Sequence, residues 1–499
     1  MGTPSGHDTP LGESVALKSI TGSAFSIGAS AVTLVLGFAR SVLLARLLLP
    51  EHFGVFALAM FFLSLAARAQ TFGFNAALVH HDSHSREEVA AHFILRVGTA
   101  LLICLITVAV SPLLSQLYPG QPLMPRVMLA LAGLEVIKAV NSTPIVLLSK
   151  QLEFRRIAVL DVASSAAALV VATLMAWRGA GVWSLVGEQA SGAMVRFVGL
   201  WAYSRPWSPH LKTSWSVIKS YFQFGWFMFL SSNLNLLLDR FDDFWTGTAL
   251  GSTALGFYSK AYEFAHYPRR VVANPVISVF FPAFAKLQHD RLRLSRAYFR
   301  VCSLVVRVGF LFAGVFALVT PEFIHLLLGD KWLPMAFTFQ LMLVYTLLDP
   351  LLVISSKLTT ALGEPQALTK VKLVQMFFFV PAVVMLAHFF GINGVAVAAD
   401  LMLALGIVSI LPRVRRYVDF SMWKMLGYPV LGLALALPTV LLVQTQLHDL
   451  HVIFALLFKV VVATVIYGTV LFVFEREQLF SAVRLVSSLL MRRTPAWVK

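Results

Sequence analysis

Seven basic side chains, Arg40, Arg68, Arg196, Lys260, Arg269, Arg270 and Lys357, fall inside or close to the centres of stretches that are otherwise apolar. Left against lipid, each would cost about 2.5 to 3.5 kcal/mol on insertion scales, so each must face a protein interior, a wet path or the headgroup layer. Four acids occupy similar stretches: Glu188, Asp400, Asp161 and Asp349. A carboxylate in a low-dielectric setting can exchange a proton or a sodium ion as its surroundings change, which makes these four the candidates for ion coupling. The bland reading is local pairing or snorkelling: Lys260 with Glu263, Lys138 with Glu135, or an acid with Arg196 or Lys357. Arg40 and Arg68 are expected in a cavity, and Arg269 and Arg270 near a membrane surface.

The elements that must position these charges are membrane helices. Of 499 residues, 58% are hydrophobic and only 13% charged, with a mean hydropathy of +0.79; an ordinary soluble domain carries about 25% charged residues. In hydrocarbon only helices or closed barrels satisfy their own backbone groups, and a helix needs about 20 mainly apolar residues to cross. Runs such as 377–389 and 454–474 lack the alternation of barrel strands, so helices are expected. Breaks at Pro, Gly and charge clusters give about fourteen spans, centred near Ala31, Phe61, Ile103, Leu134, Leu169, Gly192, Met228, Ala265, Leu311, Tyr345, Val380, Leu403, Leu433 and Ala463. The span near Ala265 is interrupted by Lys260, Glu263, Arg269 and Arg270. Pro275, Pro282, Pro350 and Pro381 should bend their helices.

The two halves echo each other. Arg96-Val97-Gly98 returns as Arg307-Val308-Gly309, Gly179-Ala180-Gly181-Val182 as Gly391-Ile392-Asn393-Gly394-Val395, Pro125 as Pro334, and Phe53-Gly54-Val55-Phe56 as Leu255-Gly256-Phe257-Tyr258, at offsets of 211, 213, 209 and 202 residues. This predicts an all-α integral membrane protein of two pseudo-symmetric six-helix bundles, residues 1–210 and 211–418, plus two extra C-terminal helices and a tail in 419–499. Duplicated bundles with a path between them are a recurrent transporter plan. Glu188, seven residues after Gly181, and Asp400, six after Gly394, then sit at similar depths in corresponding helices.

Charge sets orientation. With the N-terminus inside, about 25 basic residues face the cytoplasm and about five face outward, so the net charge of +16 is mostly topological and does not point to nucleic acid. Residues 1–19 are polar and carry no cleavable leader pattern, so the first apolar span is read as a transmembrane helix. Cys104 and Cys302 lie inside spans as small packing residues, and His80-His81-Asp82-Ser83-His84 matches no common zinc spacing. No metal or other cofactor is implied beyond a coupling proton or sodium ion. The longest polar segments, 75–90 and 286–296, are too short for a soluble domain, which argues against an enzyme.

At the level of motifs, Leu44-Ala45-Arg46-Leu47-Leu48-Leu49-Pro50-Glu51-His52-Phe53-Gly54 resembles the first hairpin of the polysaccharide transporter family, the Wzx-type flippases of the MOP superfamily. Further matching residues are Gln151-Leu152-Glu153-Phe154-Arg155-Arg156, Gly181-Val182-Trp183-Ser184-Leu185, Asp242 with Gly247, Gly251, Gly256 and Tyr258, Phe281-Pro282-Ala283-Phe284, and Leu328-Gly329-Asp330-Lys331-Trp332. The similarity covers residues 15 to 425. It implies a bacterial inner-membrane protein that flips a polyprenyl-diphosphate-linked oligosaccharide for O-antigen, capsule or exopolysaccharide production, beside a polysaccharide polymerase and other assembly proteins. The basic residues inside the spans would then meet the diphosphate, for which arginine's planar fork is best suited. Rival readings are a multidrug or organic-ion antiporter of the same superfamily, a membrane polymerase or ligase, and a scaffold that has lost transport.

Overall fold

The computed structural model describes residues 10–67, 74–75, 78, 85–204, 207, 211–444 and 451–490. Fourteen helices make up this part of the chain: α1 (Pro10–Leu47), α2 (Pro50–Ala67), α3 (Arg86–Leu117), α4 (Met124–Lys150), α5 (Phe154–Trp177), α6 (Trp183–Val198), α7 (Trp215–Trp245), α8 (Ser252–Ala265), α9 (Asn274–Lys286), α10 (Arg291–Phe323), α11 (Ala336–Ala361), α12 (Pro365–Tyr417), α13 (Met422–Gln444) and α14 (Val452–Leu490). No strand occurs among the described residues. Ten helices among them are long and apolar enough to cross a membrane, and the chain is a multi-pass membrane protein.

Local chemistry explains where helices stop. The interrupted span near Ala265 is two short helices, α8 of 14 and α9 of 13 residues, joined by a widened turn at Arg269–Ala273. Pro275 falls in the first turn of α9, where a missing N–H costs nothing, whereas Pro282, Pro350 and Pro381 lie within helices. At 53 residues α12 would extend about 80 Å if straight, far beyond one crossing. It breaks at Gly391, whose φ of 59° suits only glycine, and folds back so tightly that a Cβ on Gly394 would lie 2.0 Å from the Leu386 carbonyl oxygen. The Gln375 amide donates to the Met402 carbonyl at 3.1 Å and fixes the two arms.

Two compact units comprise residues Met1–Asn233 and Leu234–Lys499, the division falling inside α7. In the first, α1 packs on α5, α5 on α6, α3 on α4, and α4 on α6. In the second, α10, α11 and α12 share a core that includes Tyr298, Val301, Val305, Leu351, Ile354 and Val414, and Cys302 is buried there as a free thiol. Cys104, on α3, is also a free thiol.

The last two helices pack on α10 and belong to the second unit. Their attachment is ionic as well as apolar. The Arg307 guanidinium donates to both Glu475 carboxylate oxygens, at 2.8 and 2.6 Å, with side chains only 7% and 1% exposed. Lys459 donates to Glu322 at 2.5 Å, and the Tyr467 hydroxyl to the Arg307 carbonyl at 2.9 Å. Glu475 interrupts α14 with non-helical backbone. Beyond the end of α12, the exposed Asp419 accepts from Arg291 at 2.8 and 3.0 Å, and this hydrogen bonding holds its carboxyl below the usual range.

Candidate functional site

Close helix approach creates the site of the first unit. A Cβ on Gly187 of α6 would lie 2.2 Å from the Met175 sulfur, and one on Gly199, just past α6, would lie 2.1 Å from Leu160 Cδ2, so glycine lets α6 settle on α5 without the Met175 and Leu160 side chains having to move aside. The turn between these helices uses left-handed backbone at Gly179 and Gly181, with φ of 79° and 56°. With α1 and α4 alongside, the four helices line a partly open pocket of about 210 Å³.

Its walls carry Arg40 from α1, Lys138 and Asn141 from α4, Ser164 from α5, and Glu188, Gln189 and Arg196 from α6. Each cation has a carboxylate partner: Arg40 with Glu188 at 3.2 Å, Lys138 with Glu135 at 2.9 Å, and Arg196 with Asp161 at 2.7 Å. Lys138 also reaches the Gln189 side-chain oxygen at 3.4 Å, and the Asn141 amide donates to the Ala193 carbonyl at 3.1 Å. Asn141 Oδ1 and Ser164 Oγ are buried without a protein partner. The arrangement is a small polar pocket in which each of the three cations is paired with a carboxylate.

In the second unit Arg269 donates to Asp349 at 2.9 Å, beside His266 and Tyr345, around a space of about 10 Å³ that suits a single water. Asp349 Oδ2 and Asp400 Oδ1 are buried without a protein partner. Lys260 is buried against Glu263 at 2.7 Å and over the Phe264 ring. Arg270 lies over the Tyr267 ring and Lys357 over Phe281, each 5.7 Å from the ring centre.

Of the residues singled out from sequence, Arg40, Arg196, Glu188 and Asp161 therefore come together in one place, and Arg269 and Asp349 in another. Lys260, Arg270, Lys357 and Asp400 join neither group of ion pairs. Arg68 and the 80–84 histidine run lie outside the described residues. Glu188 and Asp400, expected at matching depths, differ in chemistry: the first is held by Arg40, while the second keeps an unpartnered oxygen.

Lys138, Asn141 and Gln189 are site residues that sequence reasoning did not single out. The available signal was that Lys138 lies in a span with Glu135 one turn away, a pattern read as local pairing. The motif residues serve structure. Gly329 has a φ of 94°, Trp332 is fully buried edge-on to Phe257, and the Tyr258 hydroxyl donates to buried Asp242 at 2.6 Å, beside the Arg240–Asp243 pair at 2.8 Å.

Comparison with known proteins adds a family and a fold. Residues 43–337 match the family model described as "Polysaccharide biosynthesis protein". The succinoglycan biosynthesis transport protein ExoT of Rhizobium meliloti (strain 1021) is 31% identical over 300 residues, and the match spans 60% of each chain, less than two thirds of ExoT. The lipopolysaccharide biosynthesis protein WzxC of Escherichia coli (strain K12) is 25% identical over 381 residues, 76% of this chain and 77% of that one. Among solved structures, the lipid II flippase MurJ in its inward closed conformation superposes with a TM-score of 0.73 at 13% identity, covering 92% of this chain and 100% of MurJ. An inward-facing multidrug resistance MATE transporter of the MOP superfamily gives 0.52 at 16% identity, covering 79% and 94%. These structures share a fold with the chain.

Proposed function

Because the chain belongs to the polysaccharide biosynthesis protein family, we propose that it is a flippase that carries a polyprenyl-diphosphate-linked oligosaccharide across the bacterial cytoplasmic membrane by alternating access, for O-antigen, capsule or exopolysaccharide assembly. The substrate class is suggested by relatives named for succinoglycan transport and lipopolysaccharide biosynthesis. The observation that carries the reading is the chamber of the first unit, where Arg40, Lys138 and Arg196 converge. A diphosphate with its row of sugar hydroxyls cannot cross about 30 Å of hydrocarbon unaided. In the chamber the diphosphate takes the place of the carboxylates as partner of the three cations, and the Asn141 and Ser164 oxygens meet sugar hydroxyls.

With the diphosphate on Arg40, Glu188 takes up a proton or a sodium ion in place of that cation, and Asp349 and Asp400 offer unpartnered oxygens for the same purpose in the second unit. Both termini and the basic loops lie in the cytoplasm on this reading, in line with the distribution of Lys and Arg.

The test is leaflet transfer of a lipid-linked oligosaccharide by the purified protein in proteoliposomes. Arg40→Ala and Lys138→Ala should each slow transfer about tenfold or more, because a hydrogen bond to a charged group contributes about 1.5–3 kcal/mol. Full transfer in both variants, or none by the wild type across several glycans, overturns the proposal.

A further inference from the structure

A second concavity lies on two of the four helices that line the chamber but shares none of its polarity. It is an open groove of about 560 Å³ walled by Phe25, Gly28 and Val32 of α1 and by Ala158, Val159 and Val162 of α5, all apolar. Small residues make room for it. Nothing lies within 4 Å of where a Cβ on Gly28 would sit, and alanine supplies part of the opposite wall.

Two observations say what the groove holds. First, both helices run from the groove towards the chamber. Arg40 follows Gly28 by twelve residues, about 18 Å along α1, and Ser164 follows Ala158 by six, about 9 Å along α5. Second, a cation marks the far end: the Arg155 guanidinium lies 5.3 Å from the centre of the Phe25 ring. One seam thus passes from a polar chamber to an apolar trough that stays within the two membrane spans and stops at a charged residue.

We infer that this groove binds the isoprenoid chain of the carrier lipid while its diphosphate occupies the chamber. The inference rests on the proposed flippase activity and adds to it a path for the tail along the α1–α5 seam. Bulk bilayer lipid needs no such continuity with a polar site, whereas a molecule with its head in the chamber must lead its tail out between helices that line the chamber.

Gly28→Phe is the discriminating variant, because nothing lies within 4 Å of a Cβ at Gly28, which leaves room for a side chain to enter the groove. A photoreactive polyprenyl diphosphate should label peptides of α1 and α5 in the wild type. Excess unlabelled polyprenyl diphosphate should suppress that labelling and excess phosphatidylglycerol should not; Gly28→Phe should abolish it. In the transfer assay the variant should lose about tenfold with the full-length carrier and move a short-prenyl analogue at the wild-type rate. Labelling confined to other helices, equal competition by phosphatidylglycerol, or equal loss with both carriers overturns the groove assignment. Absence of transfer by the wild type overturns the flippase reading, and the labelling result still decides the groove.

Discussion

At the scale of single residues, what matters about the chamber is that its cations are already engaged. Arg40 and Glu188 are 24% and 15% exposed, buried enough for loss of one partner to leave a costly charge, while Arg196 and Asp161, at 44% and 40%, behave more like a surface pair of about 0–1 kcal/mol. On the proposed function, the substrate diphosphate competes with Glu188 for Arg40. Glu188→Gln should therefore tighten polyprenyl-diphosphate binding about tenfold and slow its release, read as a lower dissociation constant together with a lower turnover; Asp161→Asn should change both by less. Weaker binding in Glu188→Gln would refute exchange. The sequence made the charges visible because hydrocarbon penalises them wherever they occur. Partners one turn apart, such as Lys260 and Glu263, were legible too, whereas the union of Arg40 with Glu188 depends on how α1, α5 and α6 pack, which no local pattern encodes.

At the scale of elements, helix number and position followed from apolar length, and the break in α12 from a glycine pair. The role of the last two helices did not. Glu475 reads as the polar end of a span, yet it is buried against Arg307, its partner 168 residues away. Arg96, the repeat counterpart of Arg307, donates to the Ser142 hydroxyl at 3.2 Å. Removing one member of a buried pair is worse than removing both. Arg307→Leu and Glu475→Leu should each destabilise the protein by about 3–5 kcal/mol, and the double variant by clearly less, as measured by thermal unfolding in detergent. Additive losses would show that the pair does not hold α14 to α10.

At the scale of the whole molecule, orientation is the prediction that composition makes most directly. The loop before α10 is flanked by Lys286, Arg291, Arg293 and Arg296, whereas the turn between α3 and α4 has Arg126 alone nearby. With Cys104 and Cys302 replaced by alanine, a cysteine at His289 should be shielded from a membrane-impermeant maleimide in intact cells and one at Gly120 labelled; the reverse pattern would invert the topology. The expected bundle boundary at residue 210 precedes α7, while the compact units divide within that helix, because sequence breaks follow polar loops and compactness follows packing. A last consequence follows from the three cations and three acids around the chamber, which cancel. On the proposed function, the unladen site returns through the membrane's electric field carrying almost no charge, but with an anionic headgroup aboard it is pushed outward by the inside-negative potential, at about 2.3 kcal/mol per charge per 100 mV. Voltage alone would then bias the cycle towards export, and collapsing it should slow delivery even with every ion gradient balanced.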